Sequence, residues 1–292
     1  MTQKAVKPAN RRRTFLTPDG LTLAGDVLGD PRHPAVVLLH GGGQTRHSWD
    51  EAARRLAIAG YHVVNYDARG HGESDWAPDG DYGMPALASD LMTVLAAIET
   101  PVVLVGASMG GMTAFYAVGQ SEKPIARALV LVDIVLRPNR DGVARIQNFM
   151  RAHSDGFASV AEAAEAVSRY NPHRPRPKDV SGLRKNLRLR EDGRLYWHWD
   201  PRLIEENPSS EPPSLSEELM AVSGGVTIPT LLTRGSRSDM VDEAGTSEMA
   251  ALVPQLEVLD VSGAGHMVAG DRNDNFVAGI LSYLERIHPA SN

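Results

Sequence analysis

No cysteine occurs in the 292 residues, so neither a disulfide framework nor a thiolate metal centre is open to this chain. That absence suits a reducing compartment, and a cytoplasmic location is expected. No apolar run approaches the roughly 20 residues that a membrane-spanning helix needs, and no membrane partner is expected. Residues 1–13 are basic and polar with no apolar run behind them, which is not the pattern of a secretory signal. Within them Arg11-Arg12-Arg13 reads as a solvated tail ahead of the first strand. The net charge of -6 argues against nucleic acid as the main partner. No metal motif, internal repeat or low-complexity segment is found. No metal or cofactor is expected, and the expected partner is a small-molecule substrate, with oligomeric state left open. Aromatic residues are scarce, at 5%, which singles out the cluster Tyr196-Trp197-His198-Trp199-Asp200.

Hydrophobic residues make up 42% of the chain, enough for a large core. Residues 14–28 alternate apolar and polar around Asp19-Gly20, the signature of an opening antiparallel hairpin. Short apolar runs follow at 35–39, 62–66, 102–105, 128–132, 230–232 and 256–261, the pattern of strands covered on both faces. Leu87, Leu91, Val94, Leu95 and Ile98 fall on one helical face, as do Val277, Ile280, Leu281 and Leu284. Strand and helix in alternation predict a mainly parallel sheet with right-handed crossovers. Between Asp133 and Ile228 no strand is legible. Ser159-Val160-Ala161-Glu162 has the form of a capping box opening a helix. Prolines break the chain at Asn171-Pro172-His173-Arg174-Pro175-Arg176-Pro177 and again between Pro208 and Pro213. Residues 136–223 are therefore expected to form a mostly helical cap over the carboxyl ends of the strands, on a core made of 1–135 and 224–292.

The stretch carrying most chemistry is Val102-Val103-Leu104-Val105-Gly106-Ala107-Ser108-Met109-Gly110-Gly111, an apolar strand running into a Gly-x-Ser-x-Gly turn. A serine hydroxyl is a weak nucleophile unless it is exposed beside a base and facing donors for a developing oxyanion. A strand-to-helix turn supplies that exposure, with a helix over 109–119 placing its positive end beneath Ser108. The base is expected at His266, in Gly263-Ala264-Gly265-His266-Met267 after the last strand. The orienting acid is expected at Asp239, in Arg234-Gly235-Ser236-Arg237-Ser238-Asp239. Asp133, ending its strand, and Asp242 are rivals; Asp242 is read as the N-cap of a helix beginning near Glu243.

These residues, in the order Ser, Asp, His, resemble the α/β-hydrolase superfamily over nearly the whole chain. The likeness is greatest to the branch of cofactor-free haloperoxidases, carboxylesterases, carbon-carbon bond hydrolases and epoxide hydrolases. Further stretches carry it. His40-Gly41-Gly42-Gly43, followed by Trp49, matches the His-Gly loop after the first parallel strand. Asp67-Ala68-Arg69-Gly70-His71-Gly72-Glu73-Ser74-Asp75 matches the Arg-Gly-x-Gly-x-Ser loop, and Gly265-His266 the base loop. The resemblance implies a mostly parallel eight-stranded sheet with a helical cap after strand six, and an oxyanion hole made by the N–H groups of Gly42 and Met109. His40 and His71 are read as braces of their turns. Ser108 stands where epoxide hydrolases and haloalkane dehalogenases carry aspartate, so attack on saturated carbon is disfavoured. Met109 stands where aminopeptidase relatives have tryptophan, and Gly42, often bulky in haloperoxidase-like members, implies room near the oxyanion.

The implied activity is hydrolysis of an ester or lactone of a small to medium, largely apolar molecule through a Ser-His-Asp triad and an acyl-enzyme. Alternatives are carbon-carbon bond hydrolysis or peracid formation on the same triad, or a ligand-binding receptor with this fold. In the expected cap, Trp197, Trp199, Phe149 and Met150 are candidate pocket residues, and Met109 and Met112 extend an apolar surface. The aromatic cluster is either the cap's own core or a pocket wall, and the two are compatible. Arg169, Arg174, Arg176, Lys178, Arg184, Lys185, Arg188, Arg190 and Arg194, set against Asp179, Glu191 and Asp192, either draw an anionic substrate or form a solvated or salt-bridged cap surface.

Overall fold

Side-chain direction alternates along the central strands and divides their buried side chains between two cores. In the computed structural model, which describes residues 10–170, 179–204, 214–262 and 273–290, β3 (Ala35–Leu39) sends Val37 and Leu39 to one face and Val36 and Leu38 to the other. β5 (Val102–Ala107) and β6 (Ala128–Val132) divide in the same way, with Leu104, Leu129 and Leu131 opposed to Val103, Val105 and Val130. Both faces are covered, so these strands are apolar throughout. β4 (His62–Tyr66), β9 (Thr230–Gly235) and β10 (Leu256–Val261) complete the expected parallel set.

Two strands at the start, β1 (Arg11–Leu16) and β2 (Thr22–Leu28), make the sheet eight-stranded, in the order β1-β2-β4-β3-β5-β6-β9-β10. The β1–β2 and β2–β4 pairs are antiparallel and all other neighbours are parallel. The expected turn at Asp19-Gly20 joins the opening hairpin, with Gly20 at φ +86°. The Arg11-Arg12-Arg13 run lies within β1 and is no free tail: Arg12 pairs with Glu73 at 2.8 Å and Arg13 lies over the Phe15 ring. Its exposed side chains leave the backbone free to pair.

α1 (Asp50–Ile58) and α8 (Asn273–Ile287) cover one face through Ala52, Leu56, Val277, Ile280 and Leu284. The other is covered by α2 (Met84–Leu95), α3 (Met109–Gln120) and α7 (Glu243–Leu252). Asp242 caps α7 as expected, accepting the Gly245 N–H at 2.7 Å.

Between β6 and β9 lie α4 (Arg140–Arg151), α5 (Val160–Tyr170) and α6 (Leu215–Val222). At α5, Ser159 Oγ accepts the Glu162 N–H at 3.2 Å while the Glu162 carboxylate takes the Ala158 N–H, so the reciprocal bond lands one residue early. The interval is not free of strands: β7 (Leu187–Leu189) and β8 (Leu195–Trp197) pair antiparallel outside the main sheet. Each has only three residues, too few for a legible period, although Asp192-Gly193 between them repeats the turn signal of the opening hairpin. The pair carries its own small core of Phe157, Ala163, Ala166, Leu187, Leu195, Trp197 and Trp199. α6 instead buries Leu219 and Val222 in the core beside α3, so packing groups it with the sheet's helical layer. Both proline-rich joints expected in this interval, 171–177 and 208–213, lie outside the described residues.

Candidate active site

Ser108 stands between β5 and α3 at φ +46° and ψ −119°, a conformation that costs a residue with a side chain about 1–3 kcal/mol. Two close approaches enforce it. A β-carbon on Gly106 would lie 2.5 Å from the Gly110 carbonyl oxygen, and one on Gly110 would lie 2.5 Å from that of Leu39. Only glycine fits at either position. The Ser108 N–H donates to the Val132 carbonyl at 3.2 Å, and its carbonyl accepts the Met112 N–H at 2.9 Å. The residue is thus tied to β6 and α3 while its side chain stays partly exposed at the helix's positive end.

The loop after β3 runs against this turn. A β-carbon on Gly41 would stand 3.4 Å from Ser108 Cβ, and one on Gly42 3.9 Å from Met109 Cβ and Sδ. Gly42 and Met109 are therefore neighbours, as a shared oxyanion site requires. His40 braces the loop through a defined tautomer: its Nε2 accepts the Ala68 N–H at 3.0 Å, so the ring proton sits on Nδ1 and is donated to the Gly41 carbonyl at 2.9 Å. That carbonyl belongs to the peptide whose N–H is Gly42's. His71 works alike, donating from Nδ1 to the Arg69 carbonyl at 3.0 Å and accepting the Gly43 N–H on Nε2 at 3.1 Å. Burial lowers the basicity of both rings, that of His71 to about 3, with the neighbouring His40 adding to the effect.

The loop from Asp67 to Asp75 is held from below by buried charge. Arg46 reaches Asp26 at 2.8 Å, and also Asp67 and Glu73. Burial opposes its charge, but these carboxylates outweigh it and hold the guanidinium above its ordinary value. Arg69 makes a two-pronged pair with Asp90 at 2.6 and 2.7 Å. Removing one partner of such a pair costs about 3–5 kcal/mol, because the other is left buried and unmatched. Asp26, His47 and Asp50 bring possible metal-ligand atoms within 4.8 Å of one another, but Asp26 is already bound to Arg46 and Asp50 to Lys185.

The two candidate acids differ sharply. Asp133 ends β6 at φ +52°, is buried, and lines the same cavity as Ser108. Its carboxylate accepts the Gly235 N–H at 3.0 Å and the Ser238 hydroxyl at 2.6 Å. Ser238 is fixed in turn, its oxygen accepting the Met240 and Val241 N–H groups at 3.1 Å. Asp239 is one-third exposed and ion-paired with Arg145. Met240, Val241 and Asp242 line the cavity, and Asp239 is not among its lining residues. The serine of the Gly-x-x-Ser-Asp stretch thus serves Asp133, while the aspartate beside it turns toward α4. His266 and its loop, 263–267, lie outside the described residues.

The cavity measures about 1400 Å³. Ser108, Met109 and Gly41 to Gly43 lie on one side of it; Phe149, Met150, Trp197 and Trp199 come from the segment between β6 and β9. Trp197 and Trp199 are stacked, with ring centroids 5.0 Å apart, and both also belong to the small core around Phe157. A β-carbon on Gly43 would lie 3.5 Å from Met150 and from Trp199, so these side chains abut the glycine loop itself. The cationic residues are engaged locally: Arg188 with the Gly72 carbonyl, Arg190 over the Tyr196 ring, Arg194 with the Asp155 and Gly156 carbonyls, and Lys185 with Asp50. Of these four, Lys185 is engaged by a carboxylate and the three arginines by carbonyls or a ring, while Arg174, Arg176 and Lys178 lie outside the described residues.

A doubly covered parallel sheet with a strained serine at its central strand-to-helix turn defines a hydrolase of the α/β class. The family model described as alpha/beta hydrolase fold matches residues 34–272, and the chain belongs to that family. It is 29% identical over 267 residues to the sn-1-specific diacylglycerol lipase ABHD11 of Mus musculus, covering 88% of this chain and 82% of the relative. It is 27% identical over 270 residues to the 3-hydroxybutyrate-oligomer hydrolase of Cupriavidus necator, covering 86% and 89%. Among solved structures, E-2-(acetamidomethylene)succinate hydrolase superposes with a TM-score of 0.80 at 20% identity, over 95% of this chain and all of the other. The esterase Rv0045c of M. tuberculosis gives 0.75 at 24% identity, over 96% and 93%. Among the described residues no helix is long and apolar enough to cross a membrane.

Proposed function

We propose that this chain hydrolyses an ester or lactone of a small to medium, largely apolar molecule, with Ser108 as nucleophile and His266 as general base. The observation that carries the reading is Ser108 held at φ +46° against the Gly41–Gly42 loop, on the wall of a cavity to which Phe149, Met150, Trp197 and Trp199 contribute an apolar side. His266 takes the Ser108 proton as Oγ attacks the carbonyl carbon, and the Gly42 and Met109 N–H groups hold the tetrahedral oxyanion. The intermediate collapses with protonation of the leaving alcohol by His266. Water, deprotonated by the same imidazole, then releases the acyl group.

For the acid that orients His266 we take Asp133 in place of Asp239. The support is burial, two fixed donors on its carboxylate and a place beside Ser108, against the exposed Asp239–Arg145 pair. Residues 136–223 act in this reading as a cap that supplies the aromatic wall, with α6 packed on the core. The lipase and oligomer-hydrolase names of the relatives support ester hydrolysis without choosing the substrate. The cysteine-free composition supports a reducing, cytoplasmic location. The test is a fluorophosphonate probe followed by a panel of esters, lactones and β-diketones. Turnover of esters or lactones with loss of activity on labelling is expected, while cleavage of β-diketones alone would assign the triad to carbon-carbon bonds.

A further inference from the structure

His198 is buried, belongs to the segment between β6 and β9, and has no part in the chemistry described above. Its ring lies 5.8 Å from that of His71, which lies 5.1 Å from that of His40, so three imidazoles line up behind the glycine loop. Its tautomer follows from its contacts. Nδ1 accepts the Gly72 N–H at 2.7 Å, so the proton of the neutral ring sits on Nε2, which faces the Gly43 carbonyl at 3.4 Å. Gly43 is thereby held at both polar groups, its N–H by His71 and its carbonyl by His198. Its φ of +70° lies in the left-handed region, which glycine adopts without strain.

We propose that His198 is a positioning residue for the oxyanion site: by holding the Gly43 carbonyl it keeps the Gly41–Gly43 loop in the orientation that aims the Gly42 N–H at the developing oxyanion. The inference rests on the reading of Gly42 as an oxyanion donor. It makes the hole depend on the segment that also walls the pocket, since His198 comes from that segment and Gly42 from the core. The segment is well fixed at this point. The His198 N–H donates to the Asn186 carbonyl at 3.2 Å, the Asp200 N–H to the Gly70 carbonyl at 2.9 Å, and Arg188 to the Gly72 carbonyl at 2.5 Å. Tyr82 adds a bond of 2.5 Å to the Asp200 carboxylate. A ring held this firmly transmits its position to Gly43. Burial, with the adjacent His71 and His40, keeps it neutral, and so keeps Nδ1 an acceptor.

Two substitutions separate the ring's bonds. His198→Asn keeps an acceptor near the Nδ1 position and lacks a donor at Nε2, whereas His198→Gln places an amide donor where Nε2 stood. With p-nitrophenyl butyrate, His198→Asn is expected to lower kcat about 10-fold with KM within about twofold, and to weaken phenylboronic acid, which mimics the oxyanion, by a similar factor. His198→Gln should recover most of both. Equal losses in the two variants that track their melting temperatures, or no loss in His198→Asn, would overturn the proposal. If the variants do not fold, ¹⁵N-histidine NMR of the wild-type protein decides. An Nε2–H tautomer at His198 whose resonance moves on boronate binding supports the role; an Nδ1–H tautomer or an unmoved resonance contradicts it. A wild-type protein that neither labels at Ser108 nor turns over esters would overturn the hydrolase reading, and this inference with it.

Discussion

Asp133 and Asp239 show how one residue's role depends on where a few atoms of its neighbours fall. Both follow strands that end on the catalytic side of the sheet, and both are acids in loops. In the fold, Ser238 and the Gly235 N–H bind Asp133, and Arg145 binds Asp239. Asp133→Asn should lower kcat for ester hydrolysis by about 10³–10⁴-fold, as a wrongly held imidazole tautomer predicts. Asp239→Asn should leave kcat within about threefold, since its partner is a half-exposed arginine. Steady-state kinetics on both variants check the assignment, and the reverse pattern would return the acid to Asp239. The strand, turn and glycine spacing around Ser108 were legible because local backbone geometry dictates them. The proposed choice of acid is not legible in the sequence, because it rests on which of two carboxylates meets a serine hydroxyl across the β6–β9 pair. His198 left no sequence signal beyond its place in an aromatic cluster. Its bonds to Gly43 and Gly72 join residues more than a hundred positions apart.

At the scale of elements, the strand-to-helix turn tolerates almost no change. Gly110→Ala would push a β-carbon to 2.5 Å from the Leu39 carbonyl oxygen, so β3 and α3 must separate. A fall in melting temperature and loss of fluorophosphonate labelling are expected together, because the same contact shapes Ser108. Normal stability in Gly110→Ala would show that the crossing has slack. Although β10 at the sheet's edge buries only Val261, the six parallel strands and both helical stripes are readable, because continuous apolar runs and helical spacing each report a packed face. The β7–β8 pair is not, for each strand is three residues long and its partner is chosen by packing on Phe157. That pair presents Trp197, with Trp199 just beyond, to the cavity. Trp199→Ala should therefore change relative kcat/KM among acyl groups more than it changes labelling of Ser108. Uniform losses on all substrates with a lower melting temperature would confine the tryptophan to the small core around Phe157.

Across the whole molecule, folding buries several histidines in the neutral form. Burial is the main cause at His40, His71 and His198, and it brings His71 down to about 3. In the unfolded chain each titrates near about 6.5. Between those values the unfolded state binds protons that the folded state does not, so stability rises with pH there. For His71 it is complete above about 6.5 and is lost progressively as pH falls toward about 3, at up to about 1.4 kcal/mol per pH unit, and His40 and His198 act in the same direction. Urea unfolding at pH 7.5, 6.5 and 5.5 should show this loss, and His71→Gln should make the slope shallower by about one proton. An unchanged slope would mean that the ring is protonated in the fold. Whether the molecule presents Ser108 as a nucleophile is decided by mass spectrometry after treatment with a fluorophosphonate. One adduct is expected, on Ser108, with ester turnover lost in proportion to labelling. An adduct on another residue, or full turnover by a protein with Ser108 blocked, would contradict that role.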